Sequence, residues 1–243
     1  MVKRFLFAAI LALPAPGLAG DPWDKPPEKW NLSEANQILM DSPWSPTKPR
    51  IEVAWVERRV DPLTRQKTDS PLYPKGGEIK LSAEIGHGAP LPSVTVLWSS
   101  AKTVRLAQQR VRQLRDPAAA GEPLRAEELP DLVLIVEGAE SLRILRDAAE
   151  DLHDTVFLEL PSGVPLDFTS VRFVENEANG EDFAEFHFPR EMESRPTVNP
   201  GTDKVVFHCK ARAKTAHPGR PSALSLRASF EPRKMRAAGR PDL

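Results

Sequence analysis

Cysteine is nearly absent from this 243-residue chain: Cys209 is the only one, so no disulfide can close within it. A chain of this length builds a core without disulfides or metal. A lone thiol is a buried side chain more often than a reactive one. Long apolar runs are scarce as well. Beyond the N-terminus the longest is Leu132 to Val136, far short of the roughly 20 residues that cross a bilayer. No charge of one sign dominates, since 33 Lys and Arg stand against 34 Asp and Glu. That balance excludes nucleic-acid or membrane-surface binding driven by net charge. Ready-made catalytic spacings are missing too: there is no HExxH, CxxC or G-x-S-x-G. A phosphate-binding glycine loop, a D-x-D-x-D-G calcium loop and an internal repeat are also lacking.

The first twenty residues carry the strongest signal present. Lys3 and Arg4 form a charged start, Phe5 to Leu13 is unbroken and apolar, and Gly17, Ala19 and Gly20 follow. This is the layout of a secretory signal peptide, with cleavage expected after Ala19 or Gly20. An apolar core of about ten residues is too short for an anchor, and no cysteine follows it to take a lipid. The mature chain is therefore expected outside the cytoplasm, in the periplasm or beyond the cell. Without Lys3 and Arg4 it is mildly acidic. Its 25 prolines, about twice the usual ~5% share, argue for ordered loops and strands and against a helical bundle.

Three regions are expected: the signal peptide 1–20, an arm 21–50 rich in tryptophan and proline, and a single α+β domain 51–243. In the arm, Ser33 is the expected N-cap of a helix from Glu34 to Met40, stopped by Asp41-Ser42-Pro43. So short a helix is marginal alone, so its apolar side and Trp23, Trp30 and Trp44 need a surface. That surface is either the chain's own domain or a partner, which makes the three tryptophans candidate partner contacts. Strands are expected around Ile51 to Trp55 and, by strict alternation, from Ile79 to Ile85, with a loop from Arg58 to Gly77 between them.

The centre then changes period. A strand at Val94–Trp98 leads into a helix capped by Ser99 or Ser100 and running to Arg115, with Val104, Ala107, Val111 and Leu114 on one stripe. A loop from Asp116 to Pro130 precedes an apolar strand at Leu132–Val136. Gly138 opens a second helix, Ser141 to Leu152, and Thr155–Leu160 is again a strand. This β-α-β-α-β order suggests a small sheet carrying both helices and is compatible with right-handed crossovers between parallel strands. The C-terminal part returns to strands: Val171 and Phe173, an Asn179-Gly180 turn, then Ala184, Phe186 and Phe188 on one face. Val205, Phe207 and Cys209 share a face, as do Leu224, Leu226, Ala228 and Phe230. The fold class is α+β, a mixed β-sheet with two central helices and a largely antiparallel C-terminal region.

The candidate chemistry is sparse. None of His87, His153, His187, His208 and His217 pairs with another at ligand spacing. His187 and His208 lie opposite the phenylalanine faces of two strands and would meet only if those strands were neighbours. Ser162-Gly163 reads as a turn, and Cys209 sits mid-strand on an apolar side. The Trp98-Ser99-Ser100-Ala101-Lys102 junction offers helix amides that attract anions in general, although helix capping accounts for it. Glu175, Glu177, Glu181 and Asp182 are solvated turn acids. From Lys210 onward basic residues outnumber acidic ones nine to two. That segment would suit an acidic partner, an envelope protein or an anionic surface, if it were not a solvated edge.

Several ordered stretches resemble a family of exported bacterial proteins without an assigned function. They are Trp30 with Leu39 and Ser42-Pro43-Trp44; Trp98 with Ser100-Ala101 and Val104-Arg105; Leu129-Pro130 leading into Leu132–Gly138; Phe186 with Phe188-Pro189-Arg190; and Phe230, Met235, Gly239 and Leu243. The tail departs from that pattern at Ala237-Ala238 and Pro241, which argues against a regular final strand. The resemblance implies export and one common fold; it implies no catalytic residue, substrate or cofactor. The functional expectation is a non-catalytic binding or structural module of the cell envelope, with no metal or cofactor. The alternative is a secreted hydrolase whose site assembles only in three dimensions.

Overall fold

Apolar patterning decides this fold: alternating runs give several strands one greasy face, and Leu132–Val136 is buried on both. The structure is a computed structural model that describes residues 20–46, 49–60, 67–71, 93–175, 182–215 and 220–243, with backbone alone for 54–60 and 67–71. The expected leader, the Ile79–Ile85 strand, His87, the Asn179-Gly180 turn and His217 lie outside these residues.

The elements in chain order are α1 (Leu32–Met40), β1 (Arg50–Val60), β2 (Lys67–Pro71), β3 (Thr95–Trp98) and α2 (Lys102–Arg115). Then come β4 (Asp131–Glu137), α3 (Ala139–Asp147), β5 (Val156–Glu159), β6 (Pro165–Asp167), β7 (Ser170–Val174) and β8 (Phe183–Pro189). A small hairpin, β9 (Glu191–Met192) and β10 (Arg195–Pro196), precedes the long strands β11 (Val205–Arg212) and β12 (Pro221–Phe230). The chain closes with a second hairpin, β13 (Arg236–Ala237) and β14 (Arg240–Pro241). One sheet has six strands in the order β2-β1-β12-β11-β5-β6, and the other has four in the order β3-β4-β8-β7.

The two sheets meet through their apolar faces. In the four-stranded sheet the register sets Trp98 against Leu134, Leu134 against Phe186, and Phe186 against Val171. In the six-stranded sheet Ala228, Phe207, Leu158 and Leu166 form one row across four strands. Phe207 lies 5.6 Å from Phe186 and 6.3 Å from Phe188, and Trp98 meets Phe230 at 5.2 Å. All five rings are buried and belong to one continuous core. Each contributes roughly 1.5–3 kcal/mol by leaving water, and pairs at these distances add about 0.5–1.5 kcal/mol. The strands at Val205–Cys209, Leu224–Phe230 and Ala184–Phe188 present the faces that their alternation predicted.

The chain is α+β, with both central helices and an antiparallel C-terminal region. The compatible parallel crossovers do not occur: every strand pairing among the described residues is antiparallel. The reason lies after α2. The returning segment runs back beside the helix, where Gln109 Nε2 donates to Arg125 O (2.6 Å), Arg125 N donates to Gln109 Oε1 (2.9 Å) and Gln113 binds Glu122 O (2.5 Å). The chain therefore re-enters the sheet at the end where β3 left it, and β4 must run antiparallel. After β4, α3 carries the chain into the other sheet, where β5 pairs with β11.

Three further expectations shift. Part of the expected Arg58–Gly77 loop is strand: β1 continues to Val60 and pairs with β2, backbone pairing that charged residues such as Glu57, Arg58 and Arg59 do not announce. The cap of α1 is Asn31 rather than Ser33. Glu34 N donates to Asn31 Oδ1 (2.9 Å) and Asn31 N to Glu34 Oε2 (3.1 Å), a reciprocal capping box that requires Glu three residues after the cap. On α2, Leu114 leaves the apolar stripe and is exposed, because the cluster formed with α1 around Ala107 extends along that face as far as Val111 and does not include Leu114.

Gly138, which opens α3, has φ +128°, and a Cβ there would lie 2.2 Å from Ser93 O. Gly138→Ala is expected to destabilise the protein by roughly 1–3 kcal/mol. Urea unfolding would check this; an unchanged midpoint would refute the close approach of backbone at this turn.

Candidate functional site

The densest convergence of polar groups lies where α2 begins. Its N-cap position is Ala101, which has no side chain able to accept a hydrogen bond. The expected caps do not serve: Ser99 and Ser100 are buried, and Ser100 Oγ has no partner. The cap comes from the far end of the chain instead. Asp242 Oδ1 accepts from Lys102 N and Asp242 Oδ2 from Thr103 N, both at 2.8 Å. The helix-start amides thus attract an anion, as their geometry allows, and the anion is the protein's own carboxylate.

The same aspartate holds more. Its main-chain oxygen accepts from Trp44 Nε1 at 2.7 Å, and its N–H donates to Met235 O at 3.0 Å. Next to it, Leu243 O accepts from Arg190 Nη2 and Leu129 O accepts from Arg190 Nε, each at 2.9 Å. Arg105 Nη2 donates to Ser100 O at 3.2 Å. Burial pushes the Arg105 guanidinium below its ordinary range; the Asp242 charge opposes that shift and the Arg190 charge adds to it.

The three tryptophans pack inward or against one another. Trp44 is 0% exposed within the main core, and Trp30 is 2% exposed in a cluster with Ala35, Ile38 and Ala107. Trp30 Nε1 donates to Pro22 O at 2.7 Å. Trp23 is half-buried, edge-on to Trp44 at 5.7 Å. Trp30 and Trp44 thus spend their apolar area on the chain's own α2 and sheets, and the surface the short helix needs is supplied in cis.

Among the described residues the histidines do not meet. His187 and His208 point away from the shared core, on the outer faces of different sheets. His187 Nδ1 lies 3.1 Å from Asp131 Oδ2. Its Nε2 is 3.5 Å from Glu185 Oε2, an ion-pair separation without hydrogen-bond geometry, so that nitrogen is buried and unpartnered. His208 Nε2 lies 2.7 Å from Glu159 Oε2 while its ring stacks on Phe157 at 4.7 Å. His153 stacks on Phe168. Among the described residues no group of three His, Cys, Asp or Glu side chains could hold a metal ion. No helix there is long and apolar enough to cross a membrane.

The basic C-terminal segment is divided rather than gathered. Lys214 pairs with Glu150, Arg220 with Glu140, Arg227 with Glu159, Arg233 with Asp203 and Lys234 with Glu231. Lys210 and Arg212 stay exposed on the outer face of the six-stranded sheet. Those exposed pairs are worth little individually. Of the expected turn acids, Glu175 and Asp182 converge on Arg146, and Glu177 and Glu181 lie outside the described residues.

Sequence reading missed Asp242, Asp131, Glu185 and Glu159, whose roles arise from neighbours remote in the chain. Arg190 was visible only as the end of Phe188-Pro189-Arg190. The fold and these contacts define an antiparallel α+β protein whose polar junction binds its own C-terminal segment. The chain matches no family model, no curated protein and no solved structure.

Cys209 is 0% exposed between the sheets, and burial pushes its thiol from 9.0 up to about 12. Between those values the unfolded chain loses this proton and the folded chain keeps it. Its contribution to stability therefore falls as pH rises through that window. Two outcomes follow. A thiol reagent at about pH 8 should label Cys209 only as fast as the protein opens, and Cys209→Ala should flatten the alkaline decline in urea midpoint. Immediate stoichiometric labelling of the folded protein would contradict the burial.

Proposed function

We propose that this protein is an exported, non-catalytic binding or structural module of the cell envelope. One observation carries the reading: among the described residues, the side chains best able to run chemistry are bonded or packed into the framework. His187 is held by Asp131 beside Glu185, and His208 is held by Glu159. Cys209 is sealed between the sheets, and the Asp242 carboxylate caps a helix. A sealed thiol, a carboxylate that caps a helix and a histidine whose Nε2 is already bonded stiffen a scaffold and are poorly placed to exchange protons with a substrate. The apolar leader and the resemblance to exported bacterial proteins support the location.

The hydrolase alternative has one geometric point in its favour. Ser170 is the direct cross-strand partner of His187, which Asp131 holds from the other side. A nucleophile needs its base at about 2.6–3.2 Å, and His187 Nε2 has no hydrogen-bond partner.

Two measurements test the reading. Cell fractionation with N-terminal sequencing should find a mature chain outside the cytoplasm that starts at Gly20 or Asp21; the full-length form in the cytosol would refute export. The full chain should show no turnover of ester, peptide, glycoside or phosphoester panels. A turnover that drops more than about 100-fold in both His187→Gln and Ser170→Ala would replace the binding module with an enzyme.

A further inference from the structure

We propose that the segment Arg236–Leu243 is a strap that holds the N-terminal arm and α2 closed on the sheets as one unit, with the Asp242 side chain as its catch. The inference is independent of what the protein binds. The strap is a tight hairpin: β13 and β14 turn through Ala238 (φ 47°) and Gly239 (φ 74°), and Asp242 N returns to Met235 O. Met235 is fully buried and anchors it, and β13 packs on the Pro22–Asp24 turn at the start of the arm.

From that anchor Asp242 reaches two elements at once. Its carboxylate takes the first amides of α2, and its carbonyl takes the Trp44 indole of the arm. The arm's other polar ties go to the same neighbourhood: Trp98 N donates to Trp44 O and Arg110 Nε to Trp30 O, each at 2.9 Å. Ala35 and Ile38 of α1 pack with Ala107 of α2. The arm is thus fastened to α2 through Arg110 and the packing of α1, and to the end of β3 through Trp98.

Without the catch the junction is unbalanced. Trp98 Nε1, Ser100 Oγ and Arg105 Nε are already buried without partners, and such groups disfavour the closed arrangement. Arg105 and Arg190 bring two positive charges to the region that Asp242 occupies. Removing the carboxylate uncaps α2 and leaves those cations facing each other. Opening hydrates all of these groups together, so the junction has two states rather than a graded loosening.

Hydrogen exchange on the full chain tests this, comparing wild type with Asp242→Ala, Asp242→Asn and Trp44→Phe. Loss of a cap speeds local exchange by about 5- to 30-fold. The strap predicts a rise of that order in Lys102–Arg105 and in Ser42–Ser45 together for Asp242→Ala, with β8 and β11 unchanged and Asp242→Asn intermediate. Trp44→Phe leaves the helix cap in place and is expected to speed both segments as well. Four results would overturn the proposal: unchanged exchange in Asp242→Ala, a rise confined to the first turn of α2, an equal rise throughout β8 and β11, or a Trp44→Phe effect limited to the arm.

Discussion

The contact between Asp242 and the first turn of α2 is the constraint on which the outer layer of this molecule depends. A helix start leaves amide donors without partners and carries partial positive charge. Here the local sequence supplies no capping oxygen, because Ala101 occupies the cap and Ser100 faces inward unpaired. A carboxylate 140 residues away makes good the deficit. In doing so it places the C-terminal hairpin against the arm and gives Trp44 its acceptor. Arg190 fixes the neighbouring residue and the start of the β4 region through main-chain oxygens. Arm, helix, tail and sheet edge thus share one polar junction.

Beneath that junction the sandwich is an ordinary consequence of alternation. Phe186, Phe188, Phe207 and Phe230 project from three strands into one space, where Phe207 meets Phe186 and Phe188, and Phe230 meets Trp98. Phe168, between β6 and β7, packs edge-on to Phe186 and Phe188. α3 crosses between the sheets, which is why the chain can leave the four-stranded sheet after β4 and still add β5 to the other. The outer faces of the sheets carry His187 and His208 with the carboxylates that pair with them. That segregation keeps the charged groups out of the shared core.

Much of the fold was legible in the chain. Period-two runs placed β8, β11 and β12 and their inward residues, and period-3.6 runs placed α2 and α3. Boundaries and caps were less legible. Asn31 competed with Ser33 as a cap, and only the reciprocal bond to Glu34 decides between them. The parallel crossovers failed because a strand-helix-strand order does not state where the chain re-enters the sheet. The Gln109–Arg125 contacts bring it back alongside α2, and those are side-chain bonds with no periodic signature. The candidate site was hardly legible at all: Asp242 is one acid in a basic tail, and nothing near it in sequence marks it as the cap of a helix.

By itself the sequence determined the local matters: which residues face inward on each strand, that Cys209 is a core side chain, that the arm must bury its tryptophans somewhere, and that α+β is the class. These follow from side-chain period and from the cost of leaving apolar surface in water. Only the tertiary structure decided the partners: that the arm docks in cis, that His187 and His208 sit on opposite outer faces, that the basic tail divides into separate ion pairs, and that α2 takes its cap from Asp242. Hydrogen bonds and ion pairs act over a few ångströms, whereas their members here lie tens to hundreds of residues apart along the chain. Their pairing exists only once the two sheets have closed.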